Sequence, residues 1–158
     1  MSDTDTPETP DTAEAPQGQA TPVHLWIVGV LSLLWSAMGA LDFVMTQTKN
    51  EAYMSAFTPE QLAFFYGFPV WLVGVWAVAV WGGVLGSLLL LLRKGLAAPV
   101  FLASFAAMVI TTLDNFVFSD GLEVIGDTFS LIFTAVIFLV GLALVFYARA
   151  MRRRGVLR

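Results

Sequence analysis

The fold is decided by the stretch from Val70 to Leu92, which reads VWLVGVWAVAVWGGVLGSLLLLL and contains no charged residue. Because an α-helix rises about 1.5 Å per residue, a stretch of this length can cross a hydrocarbon layer of about 30 Å. Arg93, Lys94 and Gly95 follow directly, and they predict a basic last turn with glycine at the first position past the helix. We therefore predict a transmembrane helix over this stretch.

Three other apolar stretches are also long enough to cross a membrane, at about 24–45, 99–118 and 128–148. The chain of 158 residues is 58% hydrophobic and only 13% charged, whereas a soluble domain carries roughly 25% charged residues. Pro99 and Asp127 stand where a helix is expected to begin. The sequence thus predicts an all-α membrane protein, a four-helix transmembrane bundle built from two helical hairpins.

The transmembrane domain is predicted to occupy residues 23–148, between two tails of opposite charge. Residues 1–22 carry acids, no Lys or Arg and almost nothing apolar to bury, which predicts a disordered acidic tail. Residues 149–158 carry arginines and no acid, which predicts a basic tail. Both tails are expected in the cytoplasm, because basic residues near the span ends are far more numerous on that side than on the other, where Lys49 stands alone.

The segment between the first two spans, residues 46–69, combines a helix-start signal with a run of aromatic residues. Thr58-Pro59-Glu60-Gln61 has the form of a capping box with proline at the first helical position. Aromatic rings prefer the depth of lipid headgroups, so we expect a short helix lying in the membrane interface. The alternative interpretation is a lid over a binding site.

Small residues recur four positions apart on the second span. Inside a bilayer, helices associate through close packing at such residues, since lipid tails are as apolar as leucine. Gly82-x-x-x-Gly86 and Gly83-x-x-x-Ser87 therefore predict a seam between helices. Packing inside the four-helix bundle is the favoured interpretation, and an oligomer seam along Gly82 and Gly86 is the alternative.

Two acids, Asp42 and Asp114, fall inside apolar spans near the expected outer surface. An ionisable residue in a span costs roughly 3 kcal/mol at mid-bilayer, so it is treated as a functional-site hypothesis. Both aspartates are expected at matching depth, and Asn115, Asp120 and Glu123 follow nearby in the chain. Together these residues predict a site for a cation, a proton or a solute. The alternative is that each aspartate only hydrogen-bonds a neighbouring helix or caps a loop.

The composition argues against catalysis. The chain has no cysteine and one histidine, so a cysteine nucleophile and a multi-histidine metal site are both excluded. We therefore predict that the protein is not an enzyme and binds no metal or cofactor. Anionic lipids are the expected partners of the C-terminal arginines, namely Arg149, Arg152, Arg153 and Arg154. Nucleic acid is not an expected partner, because the sequence predicts no folded basic face.

Distinctive short motifs are spread over residues 23–158. They include His24-Leu25-Trp26, Phe68-Pro69-x-Trp71, Ser119-Asp120-Gly121-Leu122-Glu123 and Gly155-Val156-Leu157-Arg158. These motifs resemble an uncharacterised family of small bacterial four-span inner-membrane proteins, whose members are sometimes labelled sugar transporters. The resemblance implies a four-span architecture and a bacterial inner-membrane location, and it supplies no functional residues.

Two functional hypotheses from different classes follow from the sequence. The favoured one is a structural or accessory membrane subunit that binds another membrane protein through its small-residue seams and aromatic loop. The alternative is a small-solute or sugar transporter, or a permease-like protein, that acts as an oligomer with the acids forming its outer site. Four helices enclose little volume, which is why the second hypothesis requires an assembly.

Overall fold

The computed structural model describes residues 21–158, and four of its helices have the length and apolar composition of membrane spans. These are α1 (Val23–Gln47), α4 (Val70–Leu91), α5 (Ala97–Leu113, continued by a π-helical turn over Asp114–Phe118) and α7 (Thr128–Arg153). Three short helices complete the set: α2 (Glu51–Met54), α3 (Pro59–Tyr66) and α6 (Gly121–Ile125). The predicted four-helix transmembrane bundle is confirmed. The predicted acidic tail, apart from its last two residues, lies outside the described residues.

The helices pack in the order α1, α4, α5, α7. α4 lies between α1 and α5 and makes the most extensive contacts, while α7 packs on α5. α1 and α7 also meet, through a hydrogen bond of 2.6 Å between His24 Nδ1 and the Tyr147 hydroxyl. The rings of Trp35 and Phe133 make a second contact, with centroids 6.2 Å apart. Because His24 is near the start of α1 and Tyr147 is near the end of α7, residues 23 and 153 lie at the same end of the bundle.

The contact between α4 and α5 depends on glycines that leave no space for a side chain. A Cβ at Gly82 would lie 2.9 Å from the Cβ of Ser104, and a Cβ at Gly86 would lie 2.8 Å from the ring of Phe101. Ser104 also donates a hydrogen bond to the backbone carbonyl of Ala79 on α4. Close approach of the two backbones therefore replaces the hydrophobic driving force that is missing inside a bilayer.

The contact between α4 and α1 uses small residues on the adjacent face of α4. A Cβ at Gly83 would lie 3.0 Å from the hydroxyl oxygen of Ser36 on α1. On α1 itself, Gly29 leaves space for the side chain of Leu91, which a Cβ would overlap. Ser87 is fully buried, and its hydroxyl donates to the Gly83 carbonyl at 2.8 Å. The predicted seam residues thus contact the chain's own helices.

The caps that the sequence predicted at two helix starts are confirmed. Gln61 N–H donates to Thr58 Oγ1 at 3.3 Å, and Thr58 N–H donates back to Gln61 Oε1 at 3.1 Å, which completes the capping box. Asp127 accepts a hydrogen bond from the backbone N–H of Ser130 at 3.1 Å and caps α7. α5 begins at Ala97 rather than at Pro99; proline is tolerated there because the first N–H groups of a helix have no intrahelical partner.

The prediction that glycine occupies the first position past α4 was wrong. Arg93 takes that position with φ 58°, in the left-handed region. Lys94 N–H donates to the Leu89 carbonyl at 2.8 Å and Arg93 N–H to the Leu90 carbonyl at 3.0 Å, the two bonds of a Schellman motif. α4 therefore ends two residues earlier than Gly95 would require. Its satisfied terminal carbonyls offset the strain of a non-glycine residue in this conformation.

The last residues of the chain fold back onto the bundle. Gly155, at φ 70°, ends α7 in a second Schellman motif, in which Val156 N–H donates to the Met151 carbonyl at 3.0 Å. Val156 and Leu157 are then buried in the core at this end of the bundle. Arg158 N–H donates to the Arg93 carbonyl at 2.8 Å, so residues 154–158 are fixed against the turn between α4 and α5.

Gly82→Ala is expected to destabilise the protein by about 1–3 kcal/mol, the usual cost of overpacking, because the added methyl group meets the Cβ of Ser104. Gly74→Ala on the same helix is the matched control, since its Cβ meets nothing within 4 Å. Thermal unfolding of both variants in detergent measures the difference. Equal midpoints for the two variants would contradict the assigned contact between α4 and α5.

Gly155→Ala is expected to cost roughly 1–2 kcal/mol, because alanine must adopt the left-handed conformation and no clash contributes. Gly39→Ala, which is equally free of contacts within 4 Å but lies inside α1, should be neutral or stabilising. Thermal unfolding in detergent measures both variants. An unfolding midpoint of Gly155→Ala equal to that of the parent would show that residues 156–158 do not depend on this turn.

Candidate functional site at the acidic end

The two ends of the bundle differ in charge. All Asp and Glu of residues 21–158 lie at the end where α1 and α5 finish, which we call the acidic end: Asp42, Glu51, Glu60, Asp114, Asp120, Glu123 and Asp127. Lys49 is at this end as well. The other Lys and Arg residues lie at the opposite, basic end: Arg93, Lys94, Arg149, Arg152, Arg153, Arg154 and Arg158. The acidic end contains every site residue that the sequence predicted for binding.

Asp42 is held by a tyrosine from the following short helix. The Tyr53 hydroxyl donates a hydrogen bond to Asp42 Oδ1 at 2.8 Å. α2 is oriented for this contact by Asn50, whose side chain accepts a hydrogen bond from Tyr53 N–H at 3.1 Å, and by Lys49, which reverses the chain at φ 51°. Tyr53 was not predicted from the sequence; the asparagine cap three residues before it is the local signal that could have located α2.

The electrostatics of this pair keep the phenol neutral. Burial, the hydrogen bond to Asp42 and the negative charge of that carboxylate together raise the pKa of Tyr53 to about 12. At neutral pH, Tyr53 is therefore a hydrogen-bond donor and Asp42 is its acceptor. This contact is of the kind that the alternative interpretation describes, in which an aspartate of a span hydrogen-bonds a neighbouring helix, here α2.

A continuous set of aromatic contacts begins at Tyr53, the partner of Asp42. Tyr53 meets Phe57 at 6.0 Å between ring centroids, Phe57 meets Phe65 at 5.6 Å, and Phe65 meets Phe68 at 6.1 Å. Two further contacts extend the set to the ends of α4 and α1, between Phe68 and Trp76 at 6.1 Å and between Trp76 and Phe43 at 4.9 Å. We call the whole set the aromatic cap: Phe43, Tyr53, Phe57, Phe64, Phe65, Phe68 and Trp76. It fixes the loop between the first two spans to the bundle.

A small cavity lies between the aromatic cap and the ends of α1 and α4. Its volume is about 250 Å³, and its lining includes Thr46, Lys49, Phe65 and Tyr66. Lys49 Nζ lies 4.6 Å from the centroid of the Tyr66 ring, a cation–π contact. The only basic residue of the acidic end among those described is thus placed on an aromatic face.

Asp114 begins the π-helical turn that extends α5. Asp114 Oδ2 accepts a hydrogen bond from the Ser119 hydroxyl at 3.4 Å. The neighbouring Asn115 Oδ1 is buried and has no hydrogen-bond partner in the described structure. Gly121 packs against the Asn115 carbonyl so closely that any side chain would overlap it. π-helical turns often occur at functional sites, and this one contains two of the predicted residues.

The structure does not join the two aspartates in one hydrogen-bonded site. Asp42 bonds Tyr53 and Asp114 bonds Ser119, and within residues 21–158 no hydrogen bond connects one aspartate to the other. Asp120 and Glu123 are exposed at α6. The described part of the chain also contains no group of three or more His, Asp or Glu side chains arranged to hold a metal ion.

Tyr53→Phe is expected to destabilise the protein by about 1 kcal/mol, because Asp42 loses its donor while the ring contacts remain. Tyr66→Phe is the control, since Tyr66 makes its contact with Lys49 through the ring face. Thermal unfolding in detergent compares the two substitutions. Indistinguishable unfolding midpoints would mean that the hydroxyl of Tyr53 does not stabilise the fold.

The same pair predicts an alkaline loss of stability. Because the pKa of Tyr53 is raised to about 12 in the folded state from about 10 in the unfolded chain, its contribution is complete below pH 10 and is lost as the pH rises through 12. The parent should therefore lose stability more steeply than Tyr53→Phe over this range. Parallel curves for the two proteins would contradict the assignment.

Comparison of the chain with protein-family models, with curated proteins and with solved structures found no match.

Proposed function

We propose that this chain is a multi-pass accessory protein of the bacterial inner membrane, with both termini in the cytoplasm, that binds another membrane protein. The observation that carries the proposal is the closed interface of α4 with α1 and α5. A Cβ at Gly82, Gly83 or Gly86 would lie 2.8–3.0 Å from a side chain of the neighbouring helix, so these contacts leave no space for a methyl group or for a solute path between the helices. The polar groups near the acidic end are held mainly by local side chains rather than directed at a channel.

The proposed orientation is supported by charge. The basic end contains seven Lys and Arg residues and the acidic end of the described chain contains Lys49 alone, which is the asymmetry that keeps basic segments in the cytoplasm. The contact between His24 and Tyr147 places the start of α1 and the end of α7 at that same basic end. The resemblance to small bacterial four-span proteins supports the location in an inner membrane.

The surface proposed to meet the partner is the apolar face of α7 together with the aromatic cap. α7 packs mainly on α5, so other helices of the chain leave much of the circumference of α7 uncovered. On α7, the side chain of Leu139 is 67% exposed and that of Phe146 is 61% exposed. Lipid covers such a face in the isolated protein, and aromatic side chains are enriched at protein interfaces.

The test uses single cysteines, because the chain has none of its own. Leu139→Cys carries a photo-crosslinker on α7, and Ser55→Cys carries one beside the aromatic cap. The control is Leu31→Cys on α1, where the native side chain is 61% exposed. We expect one stoichiometric adduct with another membrane protein from the first two positions and not from the third. Adducts only with lipid, or only with a second copy of the chain, would overturn the proposal.

Labelling of Ser55→Cys in intact cells by a membrane-impermeant maleimide reports the orientation.

The second candidate function is a small-solute transporter, acting as an oligomer. The buried and unpartnered Asn115 Oδ1 beside Asp114 favours it, because a polar atom in that state is available to a ligand. Solute flux into proteoliposomes is measured for the parent and for the double variant Asp42→Asn with Asp114→Asn. Loss of this flux in a double variant that remains folded would support this candidate. Unchanged flux in the double variant would remove the acids from any transport role.

A further inference from the structure

The basic end of the bundle contains a cleft between α5 and α7. Its volume is about 490 Å³, which falls within the usual range of ligand sites, about 300–1,000 Å³. One wall is apolar and the other is basic, and the residues that line it are Ala98, Pro99, Leu102, Arg149, Arg152 and Arg153. The cleft is separate from the aspartates and from the aromatic cap, which lie at the opposite end.

The basic wall comes from one face of α7. Arg149, Arg152 and Arg153 are spaced three and four residues apart, so their side chains project on the same side of the helix. Every Asp and Glu side chain of residues 21–158 lies at the acidic end, so none of them neutralises the three guanidinium groups. A concave surface with three arginines and no Asp or Glu side chain from residues 21–158 favours an anion.

The apolar wall shows which kind of anion fits. Leu102 lies one turn farther into the bundle along α5 than Ala98, and it is 40% exposed where the cleft opens between two membrane spans. The cleft therefore offers an apolar wall from α5 opposite a basic wall from α7, both within the first two turns from the basic end. An anionic phospholipid presents both characters, a phosphate and an acyl chain. A soluble phosphate would use the arginines and leave Leu102 without a partner.

We propose that this cleft binds the phosphate headgroup of an anionic phospholipid, with Arg149, Arg152 and Arg153 as its ligands and the acyl chain along Leu102. Guanidinium groups suit this role because their paired donors match two phosphate oxygens. Arg154 does not line the cleft, which distinguishes a defined site from general attraction of the tail to the membrane. The lipid also joins α7 to α5, the helix on which α7 depends. Lipid binding at this cleft does not depend on the proposed accessory role.

The experiment measures binding of phosphatidylglycerol to the delipidated protein in neutral detergent, by native mass spectrometry and by the shift in unfolding temperature. The lining variant carries Arg149→Gln, Arg152→Gln and Arg153→Gln. The control variant removes three charges from the same end outside the cleft, with Lys94→Gln, Arg154→Gln and Arg158→Gln. Phosphatidylcholine and inorganic phosphate are run as separate arms. Circular dichroism establishes that each variant keeps its helical content before lipid is added.

We expect one retained phosphatidylglycerol per chain in the parent and in the control. A single basic residue near an anionic surface changes affinity by about fivefold, so the lining variant should bind on the order of 100-fold more weakly. An equal loss of affinity for phosphatidylglycerol in the lining variant and in the control variant would mean that surface charge alone attracts the lipid, and this would overturn the proposed site. Inorganic phosphate that stabilises the protein as much as phosphatidylglycerol does would show that the ligand is a soluble anion. Phosphatidylcholine that binds as tightly as phosphatidylglycerol would show that the charge of the headgroup is not recognised. Either result overturns the proposal. If the lining variant loses its helical content, it is replaced by a variant with Arg149→Lys, Arg152→Lys and Arg153→Lys. Phosphatidylglycerol binding by this lysine variant as tight as that of the parent would contradict ligation by guanidinium groups.

Discussion

The fold depends on how closely α4 approaches its neighbours. Leucine gains nothing by leaving lipid for another helix, so a bundle in a bilayer needs contacts that lipid cannot supply. Gly82 and Gly86 provide them on the side of α5, and Gly83 provides them on the side of α1. Because all three belong to one turn and a half of α4, this helix becomes the centre of the bundle. The position of α7 then follows from α5.

This close packing also governs what the molecule can do. Where backbones nearly touch, there is no space for water or solute, and the charged side chains of residues 21–158 are restricted to the two ends. The acidic end uses its polar groups locally: Tyr53 satisfies Asp42, and Asp127 caps α7. The basic end leaves three arginines on an open cleft. The two ends therefore differ in charge and in shape: the acidic end is covered by the loop that holds Tyr53, and the basic end has an open cleft lined by arginines.

The candidate site was only partly predictable. The sequence identified Asp42 and Asp114 correctly as acids inside spans, since hydropathy alone makes them visible. It did not identify Tyr53, because the contact needs the chain to reverse at Lys49 and begin a new helix at Asn50. The capping box at Thr58 was predictable from four adjacent residues. The aromatic cap was not, because it joins Phe43 and Trp76 from two separate spans.

The sequence by itself determined the four spans, the caps at Thr58 and Asp127, and the segregation of charge between the two ends. Each of these depends on composition within one or two helical turns. The small residues of α4 indicated its packing faces, but the tertiary structure alone decided which helix meets each face, since α4 is apolar on all sides and no amphipathic pattern orients it. It also decided that Arg93 rather than Gly95 ends α4, and that Asp42 bonds Tyr53 rather than Asp114. These outcomes depend on rotation of helices about their axes and on where loops return, which only the packed molecule fixes.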